Sequence, residues 1–172
     1  TGNDILLKIM FSHIVFLLPV FIIAFFTTML LTPIVKKIAI RKNILDTPSE
    51  RKMHKKPIPH LGGIAIYAGF IVSLLFSVTV LKIPLSPLFG ILIGSSIIVV
   101  LGLLDDIFSL KPTYKLLGQI FAAFATYSCG ISINFITHPA GGIAYLDLLS
   151  LPLTIIWIVG IINTINLIDG SD

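Results

Sequence analysis

Apolar runs of about twenty residues alternate with short polar segments along the chain. A helix rises about 1.5 Å per residue, so each run is long enough to cross a hydrocarbon core of roughly 30 Å. In lipid, a helix also satisfies its own backbone polar groups, which an open strand cannot do. The pattern predicts five transmembrane helices, over Phe11–Thr32, Gly62–Leu81, Leu85–Leu104, Leu116–Ile136 and Leu148–Ile168.

The composition also indicates a bilayer as the solvent. Of the 172 residues, 56% are hydrophobic and only 12% are charged, and the mean hydropathy is +1.04. A soluble domain carries about a quarter of its residues as charges. We therefore predict an all-α polytopic transmembrane helix bundle that forms a single transmembrane domain over residues 1–172. The lone Cys129 excludes an intrachain disulfide and offers no metal-site spacing.

The basic residues predict how the chain is oriented. Five crossings place the loops 33–61 and 105–115, together with the C-terminal end, on one side of the membrane. That side holds ten of the twelve lysines and arginines, and the other side holds only Lys8 and Lys82. The positive-inside rule makes the basic side cytoplasmic, and it explains the net charge of +4 without a nucleic-acid partner. We expect a multi-pass protein of the inner (plasma) membrane whose active face is cytoplasmic and which contacts membrane lipids.

The first polar segment, residues 46–63, contains three prolines that prevent a continuous helix, so it is predicted to be a shaped loop. Lys52 and His54 belong to its dense cluster of basic residues. One interpretation is a topology signal that contacts lipid headgroups. The other is a cradle for phosphates, which the Pro-x-Pro and Gly-Gly punctuation favours.

The second segment places Asp105 and Asp106 side by side at the end of an apolar run. Two adjacent carboxylates that lose hydration repel each other, and a hard divalent cation would relieve that cost. Mg²⁺ usually takes one or two carboxylates together with waters and substrate phosphates. Lys115 would bring a positive charge to the same surface. The alternative is a charged helix end that only marks the membrane interface.

The third segment places Asn163 and Asn166 three residues apart, on one face of a predicted helix. Amides inside a span need partners, which either a neighbouring helix or a ligand can supply. Asp169 and Gly170 then predict that the helix ends in a binding turn, which Asp172 closely follows.

Taken together, the three segments resemble the polyprenyl-phosphate N-acetylhexosamine-1-phosphate transferase family, with the WecA/TagO branch nearest and the MraY branch more distant. The resemblance spans roughly Leu31 to Asp172. It rests on the Pro-x-Pro and Gly-Gly loop, on the aspartate pair with Lys115, and on the Asn-x-x-Asn-x-x-Asp-Gly-x-Asp motif at residues 163–172.

The resemblance implies transfer of N-acetylhexosamine 1-phosphate, with N-acetylglucosamine expected, from a UDP-sugar to undecaprenyl phosphate. UMP would be released, and the product would serve a cell-envelope polymer such as lipopolysaccharide or teichoic acid. The implied cofactor is Mg²⁺, or Mn²⁺ in its place. Asp105 and Asp106 would hold the metal and act in catalysis, and the other residues would bind substrate: Lys52, His54, Lys115, Asn163, Asn166, Asp169 and Asp172.

Members of that family are about twice as long, so we expect this chain to be the N-terminal half of an enzyme and catalytically incomplete by itself. Two rival functions stay open. One is a transporter with an intramembrane cation site, and the other is a non-catalytic membrane fragment. Whether the chain forms a homo-oligomer is also left open.

Overall fold

Five helices account for most of the chain that the computed structural model describes, which covers residues 2–46, 58–59, 61–137 and 141–169. The helices are α1 (Gly2–Arg41), α2 (Gly62–Thr79), α3 (Ser86–Phe108), α4 (Pro112–Ser128) and α5 (Ser150–Asp169). The strands are β1 (Leu45–Asp46), β2 (Ile58–Pro59), β3 (Phe135–Thr137) and β4 (Ile143–Tyr145), and a 3-10 turn covers Asp147–Leu149.

The predicted all-α membrane bundle is confirmed. One of the five predicted spans, however, is not among the described helices that are long and apolar enough to cross a membrane. Four stretches of the described helices are long and apolar enough to cross a membrane: Leu17–Arg41, Gly62–Thr79, Leu88–Phe108 and Asp147–Ile168. The fourth predicted span, Leu116–Ile136, is wrong in its bounds. It corresponds to α4, whose 17 residues end at Ser128, and such a helix is only about 26 Å long.

The boundaries of the two predicted loops are also wrong. Residues 33–41 belong to α1, which continues through Pro33 and ends at Arg41. Between α3 and α4 only residues 109–111 are non-helical, so Asp105 and Asp106 lie in the last turn of α3 and Lys115 lies in the first turns of α4. An apolar run marks where a chain can cross lipid, whereas a helix can continue into the polar interface.

The chain divides into two compact units, and α1 with α2 forms the first of them. These helices approach closely at Gly69, where an added Cβ would lie 2.8 Å from the carbonyl oxygen of Ala24 and would also clash with Thr28. Small residues at such crossings let helix backbones pack tightly in membranes. Ala39 of α1 and Ala65 of α2 are correspondingly buried.

The second unit contains α3, α4 and α5, and consecutive helices in it run antiparallel. Near one end of the α3–α4 pair, Gly90 faces Cys129 and Ile131. Further along, Gly94 packs against Thr126. Between α4 and α5, the backbone N–H of Ile133, just beyond α4, donates to Thr154 near the start of α5. The end of α3, the start of α4 and the end of α5 therefore lie at the same end of this unit.

A β-hairpin that the sequence analysis did not predict lies between α4 and α5. Its strands β3 and β4 are antiparallel, with Phe135 opposite Tyr145, Ile136 opposite Ala144 and Thr137 opposite Ile143. Gly130, with a φ of 92°, follows the end of α4 and allows the chain to leave the helix.

Candidate active site

A tight turn joins α3 to α4, and Asp105 holds it together. The backbone N–H of Ser109 donates to the Asp105 carbonyl oxygen at 2.8 Å. The backbone N–H of Leu110 donates to Asp105 Oδ1 at 3.1 Å. Ser109 has a left-handed backbone (φ 49°) that ends α3, and Pro112 then opens α4, where a missing N–H has little cost. Asp105 thus has a structural role that the sequence did not indicate.

The second oxygen of Asp105 forms an ion pair across this turn. Lys115 Nζ donates to Asp105 Oδ2 at 2.8 Å, and the two side chains retain 35% and 25% of their exposure, respectively. The pair extends the antiparallel α3–α4 packing, in which Leu101 covers Gly118 one turn further in. Lys115 is therefore held beside the aspartates, as the sequence predicted, and its charge remains partly accessible to solvent.

Asp106 is half-buried and follows Asp105 in the same helical turn. Adjacent helical positions are about 100° apart around the axis, so the two carboxylates occupy different faces of α3. Each oxygen of Asp105 accepts one hydrogen bond from the chain and retains capacity for another.

The carboxylates fit a hard cation only as part of a larger donor set. Within the described residues, no three His, Cys, Asp or Glu side chains converge as a metal site. Two carboxylate donors still match Mg²⁺, because that ion commonly takes one or two carboxylates and completes its shell with waters and phosphate oxygens.

Gln119 is not among the site residues predicted from the sequence. Its side chain is 1% exposed, the lowest value for any large polar side chain in the described second unit. It exchanges two hydrogen bonds with Asn163: Asn163 Nδ2 donates to Gln119 Oε1 at 2.7 Å, and Gln119 Nε2 donates to Asn163 Oδ1 at 3.4 Å. Asn163 Nδ2 also donates to the Val159 carbonyl at 2.8 Å. The sequence feature that could have identified Gln119 is its spacing. It lies four residues after Lys115, and residues four apart lie on the same face of a helix.

The amide pair joins α5 to α4 close to the turn between α3 and α4. Lys115 is one turn from Gln119 toward the start of α4, and Asn166 is one turn from Asn163 toward the end of the antiparallel α5. Asn166 is exposed. The structure therefore gathers at one end of the second unit two carboxylates, one ammonium group and several amides.

Four predicted site residues receive no structural test here. Lys52, His54 and Asp172 lie outside the described residues. Asp169 is the last residue of α5, but its side chain also lies outside the described part of the chain.

A lysine ammonium group and amide donors can bind an anionic ligand. Carboxylates beside them can hold a metal ion that the same ligand also contacts. The sequence of the same region matches a known family model: residues 88–172 match the family described as glycosyl transferase family 4. Over these residues the chain is similar to this family. Its match begins in α3 and includes the Asp105–Lys115 turn and the Asn163 segment of α5.

Curated relatives support the same assignment. The chain is 40% identical over 159 residues to a probable undecaprenyl-phosphate N-acetylglucosaminyl 1-phosphate transferase of Bacillus subtilis, covering 88% of this chain and 42% of the relative. It is 33% identical to a decaprenyl-phosphate N-acetylglucosaminephosphotransferase of Mycobacterium leprae, covering 82% and 37%. It is 30% identical to an undecaprenyl-phosphate alpha-N-acetylglucosaminyl 1-phosphate transferase of Thermotoga maritima, covering 88% and 44%.

The chain therefore spans about two fifths of the length of these curated relatives. No solved structure matches it significantly. The expected resemblance to the polyprenyl-phosphate sugar-1-phosphate transferases is confirmed at the level of the family.

Proposed function

We propose that the protein transfers N-acetylglucosamine 1-phosphate from a UDP-sugar to a polyprenyl phosphate, in the membrane, and releases UMP. The observation that carries this proposal is the Asp105–Lys115 ion pair beside Asp106, within the segment that matches glycosyl transferase family 4. The names of the curated relatives supply the polyprenyl phosphate and the sugar phosphate.

In the proposed reaction, an oxygen of the lipid phosphate attacks the phosphorus that carries the sugar. The bond from that phosphorus to the bridging oxygen of the diphosphate breaks, and the electron pair leaves with UMP. Both reactants are anions, so the protein must mainly neutralise charge and align the two phosphates. The lipid phosphate is already ionised, so the attack needs no base.

Lys115 is suited to hold a phosphate oxygen, because its ammonium group is partly exposed and Asp105 fixes its position. The Asn163 amide is held by Gln119 and can orient polar groups at the same end of the unit. Asp105 and Asp106 would hold a Mg²⁺ ion, with Mn²⁺ as a substitute, and this ion would supply positive charge to the diphosphate. The assignment of metal ligands rests on the donor chemistry of these two carboxylates.

The proposal places this end of the second unit at the cytoplasmic face of the plasma membrane. The support is the distribution of basic residues, which cluster on the predicted side of the aspartates. The position of Asp105 also favours an enzyme over a transporter, since it lies three residues from the end of α3. Transporters place their ion sites near the bilayer midplane.

The direct test is a transfer assay on membranes that contain the full-length gene product. Radiolabelled UDP-N-acetylglucosamine and undecaprenyl phosphate are supplied with Mg²⁺, and the label in the lipid extract and the UMP formed are both measured. We expect equal amounts of labelled lipid and UMP, and loss of both when EDTA is added.

Membranes from cells that lack the gene serve as the control. UDP-sugar hydrolysis without a labelled lipid would contradict the proposed acceptor. The absence of any sugar nucleotide turnover, combined with cation flux in sealed vesicles, would support the transporter instead.

A further inference from the structure

The chain contains no Asp, Glu, Lys or Arg between Lys115 and Asp147, which begins the 3-10 turn before α5. This stretch comprises most of α4 and both strands of the hairpin, and it ends just before the 3-10 turn that leads into α5. A connection that lies in water usually carries polar and charged residues, so the composition points to a different solvent.

The β3–β4 hairpin exposes apolar side chains on both of its faces. Phe135 and Tyr145 form an edge-to-face aromatic pair, with ring centroids 6.4 Å apart, and are 53% and 72% exposed. Ile143 lies on the same face, while Ile136 lies on the other, and both are exposed. If one face of the hairpin packed on protein and the other faced water, apolar and polar residues would alternate along each strand. The face toward water would then be polar.

Polar groups beside the hairpin bond to protein partners. The Ile133 N–H donates to Thr154 Oγ1 at 2.9 Å, and Thr154 is only 2% exposed. The Ser150 hydroxyl donates to Asn134 Oδ1 at 3.0 Å, and the Leu146 N–H donates to the Asn134 carbonyl at 2.9 Å. Such internal pairing is what irregular backbone requires where water is scarce.

The hairpin is continuous with a membrane span. The span that contains α5 begins at Asp147, two residues after β4 ends at Tyr145. Ile133 and Ile136 also line an apolar groove of about 390 Å³ along α5, which includes Trp157. The short α4, about 26 Å long, would bring the hairpin to the edge of a hydrocarbon core of roughly 30 Å.

We propose that residues 133–137 and 141–146 lie in the interfacial layer of the lipid bilayer, at the membrane face opposite the Asp105–Lys115 turn. Phe135 and Tyr145 sit at the level of the headgroup and acyl boundary, where aromatic side chains are favoured. Acyl chains cover Ile136 and fill the groove beside Trp157. The partner is the bilayer itself, and this assignment is independent of the proposed catalytic function.

The test measures depth with nitroxide spin labels on the full-length protein in phospholipid vesicles. Cysteines are introduced singly at Ile136 and Tyr145 in a background in which Cys129 and any other cysteine of the full-length protein are replaced by serine. Phe121, exposed on α4, gives the lipid reference, and Lys82, in an exposed turn, gives the water reference. We expect labels at 136 and 145 to collide more with oxygen than with a water-soluble nickel chelate, as at 121. Accessibility to the chelate equal to that at 82 would overturn the proposal.

A second measurement avoids the bulky label. Tyr145→Trp places a tryptophan in the hairpin of a full-length protein in which Trp157 and any other tryptophan are replaced by phenylalanine. We expect quenching by phospholipids brominated near the headgroup end of the acyl chain, and weaker quenching by those brominated deeper. Efficient quenching by aqueous acrylamide with none by either brominated lipid would also overturn the proposal.

Discussion

The two ends of the second unit differ in how they handle polar groups. At one end, charged and amide side chains pair with each other: Lys115 with Asp105, and Gln119 with Asn163. At the other end, backbone groups and neutral side chains pair, and Asp147 is the first charged residue after Lys115. The same three helices connect both ends.

This difference separates a surface suited to chemistry from one suited only to lipid. Charges beside a bilayer are costly and are kept where they bind ions or ligands. Hydroxyl and amide groups at the other end bond to the backbone of a connection and to each other. Removal of a carboxylate charge should therefore lower turnover when it is made beside Asp105. The same change at the hairpin end should leave turnover unaltered.

The largest expected effect is on turnover, from removing one carboxylate charge at the proposed site. Asp106→Asn keeps the shape of the side chain but removes the charge that a hard cation requires. We expect transfer of labelled sugar to fall about 100-fold to 1,000-fold, as when one electrostatic group is removed from other active sites. The transfer assay at saturating Mg²⁺ measures this.

Asp147→Asn is the matched control at the opposite end. Asp147 has a left-handed backbone (φ 41°), which asparagine also tolerates, and its side chain is exposed. We expect normal turnover. Near-normal turnover of Asp106→Asn would remove this residue from the metal assignment, and equal losses in both variants would refute the functional difference between the ends.

The next effect is on stability, from the crossing that joins the two ends. Gly94→Ala would force its new Cβ against the Thr126 hydroxyl, which donates to the Ala122 carbonyl at 2.9 Å. We expect a loss of about 1–3 kcal/mol in the free energy of unfolding, which is typical of overpacking. Denaturant unfolding in detergent micelles measures it.

Gly102→Ala, in the same helix, is the control, because nothing lies within 4 Å of the added Cβ. It should unfold at the same denaturant concentration as the unaltered protein or slightly above it, because alanine favours a helix over glycine by about 0.5–1 kcal/mol. If both variants unfold alike, the α3–α4 crossing is looser than the structure shows.

The sequence predicted the helices better than their ends. The bounds of α2 and α5 lie within two residues of the predicted spans, because both helices closely match their apolar runs. Around Pro33 and Asp105 the helices continue beyond the apolar run, since charges end a membrane span without ending a helix.

The least predictable region was Leu116–Ile136. Apolarity alone cannot distinguish a helix from an apolar hairpin, so the turn at Gly130 and the strand at Phe135 were missed. Gln119 was missed for a related reason. Its role depends on which helix faces it, and that partner lies 44 residues away in the chain.

A double-mutant cycle tests that partnership and carries a smaller effect. Gln119→Leu leaves the Asn163 amide bonded to its own Val159 carbonyl, and Asn163→Leu leaves Gln119 buried with a lost partner. We expect the two losses in unfolding free energy to be less than additive, with a coupling of about 0.6–1.7 kcal/mol, the range seen for hydrogen bonds between membrane helices. Thermal unfolding in detergent provides the four values.

Gln119→Leu combined with Ser128→Ala gives the control cycle, because the Ser128 hydroxyl donates to the Phe124 carbonyl within α4 itself. Its coupling should be close to zero. A coupling for Gln119 and Asn163 no larger than this would show that the amide pair contributes nothing to the packing of α4 on α5.

The smallest expected effect is the contribution of the Asp105–Lys115 ion pair to stability. Because both side chains are partly exposed, Lys115→Met should lower the unfolding free energy by less than about 1 kcal/mol. Asp105 also keeps its bond from the Leu110 N–H, so the turn loses only one of its supports. Lys111→Met, in the same turn and exposed, should cause no loss. A loss of about 3–5 kcal/mol in Lys115→Met would mean that the pair behaves as a buried one whose partner charge is stranded, and Lys115 would then act as a structural clamp instead of being available to a phosphate.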